Sequence, residues 1–161
     1  MYVVPEHVKL DPHSRWALPD RIFFACGACH ILAHAFLTTH PAAGFRPLWM
    51  KPAKGFIGNH IIVARGDLAF DYHGWASLQR LLEHAHTKSN RWWPGWNAEL
   101  IPVPPAILVS EIDSKEFGQR HGGKLWLREP GQFLLDPLPR AHAYIARQEA
   151  LASVRELSRI A

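Results

Sequence analysis

Apolar positions after Gly27 recur at a helical spacing. Ala28, Ile31, Leu32, Ala35 and Phe36 fall on one face, which predicts a buried helix from residue 27 to about Thr39, closed by Pro41 and Gly44. Ahead of it, residues 1–21 are rich in Pro, His and Asp and read as an irregular lead-in. Residues 41–59 carry Pro41, Gly44, Pro47, Pro52, Gly55 and Gly58 around Trp49-Met50 and read as a long loop. At His60 the period changes: Ile61-Ile62-Val63 is β-branched, Arg65-Gly66-Asp67 marks a turn, and Leu68 to Tyr72 forms a second strand. Ser77 caps a helix whose Leu78, Leu81, Leu82 and Ala85 repeat at three and four. Further on, the pattern predicts a loop over Arg91–Trp96, a strand over Glu99–Val103 and a helix from Pro104-Pro105 to about Gln119. After Gly122-Gly123 it predicts a last strand over Lys124–Leu127. An amphipathic helix over residues 137–161, with Leu151, Val154 and Leu157 on one face, closes the chain.

These elements define an α+β fold, and 161 residues with 48% apolar content suffice for one domain with a buried core. The formal charge of +4 is scattered along the chain, so a nucleic-acid partner is not indicated. Glu6, Asp11 and Asp20 break up the N-terminal region, which lacks the basic-then-apolar order of an export signal. Cys26, Gly27, His30 and His34 interrupt the apolar run from Ile22 to Leu37, so it reads as a core helix and no membrane span is expected. The expectation is a cytoplasmic protein whose Cys26 and Cys29 stay reduced.

The chemistry concentrates in one set of residues. Cys29 falls in the first turn of the helix that Gly27 opens, where the helix dipole and unsatisfied backbone N–H groups favour a thiolate and can hold an oxyanion. His60 heads the first strand of the hairpin and Asp71 lies on its partner. With a two-residue turn at Gly66-Asp67, Ile62 faces Asp71 and His60 is its diagonal neighbour on the same face. A four-residue turn sets His60 directly opposite, and a three-residue turn separates them unless a bulge intervenes.

The segment Gly27-Ala28-Cys29-His30-Ile31-Leu32-Ala33, then His60 heading an apolar strand, then Phe70-Asp71-Tyr72-His73-Gly74, resembles the core of papain-like and transglutaminase-like cysteine hydrolases. The resemblance spans about residues 22–75. It implies a Cys-bearing helix packed on a small antiparallel sheet, with Cys29 as nucleophile, His60 as base and Asp71 orienting the imidazole. It also implies acyl-transfer chemistry of the peptidase, amidase or deamidase type on a peptide, protein or small amide, with no cofactor.

Other readings of the same residues stay open. A non-enzymatic binding protein on this fold would bury Cys29 or turn it away from His60. Cys26-Gly27-Ala28-Cys29-His30 also has the spacing of a c-type haem attachment. Cys26, Cys29, His30 and His34 are zinc-type ligands, with His30 and His34 one helical turn apart. Trp92, Trp93 and Trp96, together with His73, are candidates for a substrate cleft, since aromatics beside Gly and Pro make adaptable contacts. The same tryptophans also suit a core.

Overall fold

A computed structural model describes residues 4–160, with side chains described through residue 153. Among the described residues, five strands form one antiparallel sheet: β1 (Arg46–Pro52), β2 (His60–Arg65), β3 (Leu68–Asp71), β4 (Gly74–Ser77) and β5 (Ala98–Pro102), in the order β4-β3-β2-β1-β5. The hairpin takes the two-residue turn. Arg65 faces Leu68, Ala64 faces Ala69 and Val63 faces Phe70. Gly66 sits at φ 57°, the left-handed backbone that such a turn requires.

Alternation along the strands gives the sheet two buried faces. Trp49, Ile61, Val63 and Phe70 point to one side, where helix α4 (Cys29–Thr39) lies against β2 and β3. Phe36 of this helix stacks on Phe70 at 4.8 Å and meets Phe45 and Trp75 edge-on at 5.0 and 5.4 Å. These offset and T-shaped geometries add to the gain from burial. The last helix, α7 (Leu138–Ile160), runs beside α4, and its Ala141, Tyr144 and Ile145 join the same core. On the other face, Met50, Ile62, Ala64 and Ala69 pack with Leu81 of helix α5 (Leu78–Trp92) and with Trp96. Ser77 caps α5 by accepting the Arg80 N–H.

Several elements differ from the sequence-based expectation. The lead-in holds three short helices, α1 (Glu6–Leu10), α2 (Pro12–Trp16) and α3 (Asp20–Ala25). Asp11 caps α2 by accepting the Ser14 N–H at 2.7 Å. The expected loop over 41–59 contains β1, a central strand. Its prolines lie near its ends, where a missing N–H interrupts the ladder least. Between them Leu48-Trp49-Met50 alternates between the two faces. The expected helix over 104–119 breaks at Ser110 into a 3-10 turn (Pro105–Val109) and helix α6 (Glu111–Arg120), because the Ser110 hydroxyl accepts the Asp113 N–H and starts a new helix. Lys124–Leu127 does alternate, burying Leu125 and Leu127 and exposing Trp126, but it is not a strand. Its backbone bonds to side chains instead: Asn59 Nδ2 donates to the Lys124 carbonyl and the Leu127 N–H donates to Ser114 Oγ. Leu151, on the expected apolar face of α7, is exposed, and the side chains of Val154 and Leu157 lie outside the described residues. Among the described residues no helix is long and apolar enough to cross a membrane.

Candidate active site

Gly27 makes the junction between α3 and α4 possible. Its φ of 101° strains any residue with a side chain, and a Cβ there would sit 2.8 Å from a guanidinium nitrogen of Arg15. That guanidinium donates to the Gly27 carbonyl at 2.7 Å and lies over the Phe133 ring. Burial, then the charge of Arg128, lowers Arg15 to about 10, against the opposing pull of Cys26 and Cys29. It remains a cation at neutral pH, on the nucleophile's side of the sheet. Ala28, in the N-cap position, offers no side-chain acceptor to the first N–H groups of α4.

Cys29 is the first residue of α4, and its Sγ accepts the Ile61 N–H at 3.4 Å. The thiol approaches β2 from the α4 side. His60 and Asp71 belong to the α5 side by alternation, and the two sets come together at the start of β2. His60 Nε2 donates to Asp71 Oδ2 at 3.0 Å. Asp71 Oδ1 accepts the His73 N–H at 2.7 Å, and His73 Nδ1 lies 3.1 Å from the same oxygen. One buried carboxylate therefore holds two imidazoles.

The electrostatics follow from this packing. Burial raises the Cys29 pKa, but hydrogen bonds from the His30 and His60 side chains, and then their charges, bring it down to about 5. Burial lowers His60, but its bonds to Asp71 and Cys29 raise it to about 9. Burial also pushes Asp71 up, and His60 and His73 overcome this and hold it well below the usual carboxylate range. At neutral pH the arrangement is a thiolate beside an imidazolium braced by a carboxylate. With Nε2 committed to Asp71, Nδ1 of His60 is the atom left for the sulfur.

A cavity of about 420 Å³ opens beside this group at the end of the sheet, between the α3–α4 junction and α5. Cys26, Gly27, His60, Asp71 and His73 line it on the triad side. Cys29 itself is 8% exposed, beneath these neighbours.

Of the expected cleft residues, His73 and Trp93 line the cavity, and Trp92 and Trp96 do not. Helix α5 continues through Trp92 and leaves it 60% exposed. Trp96, after the Pro94-Gly95 turn, plugs the core under α5 with its Nε1 donating to the Ile57 carbonyl. The sequence reading missed Met50, Leu81, His84 and Ala85 as cavity residues. Leu81, His84 and Ala85 share one face of α5 by their three-and-four spacing, and that spacing is the signal in the sequence that groups them. His30, a metal ligand only in the alternative haem and zinc readings, lies against the thiol, with its Nε2 donating to the Arg128 carbonyl at 2.9 Å. That bond occupies the nitrogen an axial haem ligand would use. Among the described residues no group of three or more His, Cys, Asp or Glu is placed to hold a metal ion. Comparison of the chain with family models, with curated proteins and with solved structures finds no match.

Proposed function

We propose that this chain is a cysteine-dependent acyl-transfer enzyme of the peptidase, amidase or deamidase type, built on a papain-like or transglutaminase-like core. The observation that carries the reading is the bond from His60 Nε2 to Asp71 at 3.0 Å, next to a thiol held at about 5. The chain order of Cys on a helix, His on a strand and Asp on the paired strand supports the same core. The Cys29 thiolate attacks the carbonyl carbon of an amide or ester, forming an S–C bond and an oxyanion that faces the N–H groups at the start of α4. On collapse the leaving amine takes the proton from His60 Nδ1, and a thioester remains on Cys29. His60 then takes a proton from water or another acceptor, which attacks the thioester and releases the thiolate. Asp71 keeps the ring oriented and its charge stabilised throughout. A reducing, cytoplasmic setting is part of this reading, since it keeps Cys29 as a thiol.

The test is acylation by p-nitrophenyl acetate, followed by nitrophenolate release and intact mass. The expected result is a burst equal to the protein concentration, an acetyl group mapped to Cys29, and a loss of about 10²–10⁴-fold in His60→Ala. Absence of a Cys29 adduct would remove the reading. One observation favours a second reading, a binding protein on the same fold: Cys29 is nearly buried while its neighbours form the cavity wall. The same adduct measurement separates the two.

A further inference from the structure

The cavity lining carries the imidazoles of His60, His73 and His84 and an apolar part made of Met50, Leu81 and Trp93. Its volume of about 420 Å³ is in the range of sites that take a small molecule or a single side-chain-sized group. A group lodged there lies directly alongside His60.

The charges decide what kind of group fits. An ion entering the cavity leaves water and needs a partner inside. Among the described lining residues Asp71 is the one carboxylate, and both its oxygens are engaged, Oδ2 by His60 and Oδ1 by His73. A cation would find no carboxylate to pair with and would face the His60 imidazolium. An anion would meet a His60 imidazolium already paired with the Asp71 carboxylate, and the one ammonium on the lining, Lys9 of α1, is solvent-exposed. Burial, and then the neighbouring His73, hold His84 below its ordinary value. An uncharged apolar group meets none of these costs and releases water from the apolar part of the lining.

We propose that this cavity is the acyl subsite of the enzyme and selects an uncharged apolar group, aromatic or branched aliphatic, joined to the carbonyl that Cys29 attacks. The assignment rests on the acyl-transfer reading above. Ala85, a small residue of the lining, sets the room available, and a bulkier residue there closes the subsite.

The experiment has two arms. In the first, the Cys29→Ala protein is titrated by calorimetry with phenylacetamide and with the cation 2-phenylethylammonium. The amide is expected to bind at least about tenfold more tightly, the scale on which an apolar pocket discriminates. Equal binding of the two overturns the subsite, and this comparison does not depend on any change to the wall. In the second arm, wild type is expected to turn over p-nitrophenyl phenylacetate at least about tenfold better in kcat/KM than the acetate. Ala85→Trp is expected to remove that advantage, with the fold retained by circular dichroism. Turnover without an acyl preference overturns the subsite and leaves the acyl-transfer reading standing. Selective binding without turnover of either ester removes the acyl-transfer reading and keeps the apolar selectivity of the cavity.

Discussion

Replacing Asp71 with Asn keeps the shape of the side chain and removes its charge. The carboxylate now accepts from His60 Nε2, from the His73 N–H and from His73 Nδ1. An amide has one acceptor oxygen, so at least one of these donors loses its partner inside the protein. The magnitude follows from His60. Burial lowers its pKa, and Asp71 and Cys29 more than reverse this, raising it from 6.5 to about 9. That rise corresponds to about 3 kcal/mol at ~1.36 kcal/mol per pH unit. The Asp71 bond ranks first among the raising influences, so Asp71→Asn is expected to cost about 2 kcal/mol. The sign is set by linkage. Because His60 is raised, its contribution is full below pH 6.5 and is lost as pH climbs through about 9. Because Asp71 is lowered, its contribution is present above 3.8 and is lost as pH falls through the depressed value. Urea unfolding of both proteins at about pH 5.5 and about pH 9.5 should therefore give a large gap at the first and a smaller one at the second, narrower by about 1 kcal/mol or more. A gap that is the same at both pH values, or absent at both, would refute the account of His60 and Asp71 as a charged pair.

Other outcomes follow from packing. In Gly118→Ala the new Cβ would come within 2.5 Å of the Leu125 backbone nitrogen, and a loss of about 1–3 kcal/mol is expected in denaturant unfolding from this overpacking; an unchanged midpoint contradicts it. Arg15→Met is of similar length but removes the bond to the Gly27 carbonyl and the charge on that side of the thiol. Slower Cys29 alkylation at about pH 6, with the fold retained by circular dichroism, is the expected result, and wild-type reactivity would contradict it.

The parts of the fold governed by local period were legible in the chain. The spacing of Ile31, Leu32, Ala35 and Phe36 marked α4, and Gly66-Asp67 allowed the hairpin register that sets His60 and Asp71 on one face. The strand β1 was hidden because Pro47 and Pro52 are turn signals when read alone, and only their place near the strand ends makes them compatible with it. The three short helices before Cys26 are too brief to show a period. Cys29, His60 and Asp71 were found because helix start and strand order are local features. The cavity was not, since Met50 lies on β1 while Leu81 and Trp93 stand at the two ends of α5, and only tertiary packing brings them together. Trp92, Trp93 and Trp96 were treated as one cluster, yet the end of α5 and the Pro94-Gly95 turn send them to solvent, cavity and core.

The most direct test of the central claim is the pH dependence of Cys29 alkylation by iodoacetamide, in a Cys26→Ser background with and without His60→Ala. The account predicts a midpoint at about 5, moving up toward the ordinary thiol range once the His60 imidazole is gone and His30 alone remains. A midpoint in the ordinary thiol range that His60→Ala leaves in place would contradict it.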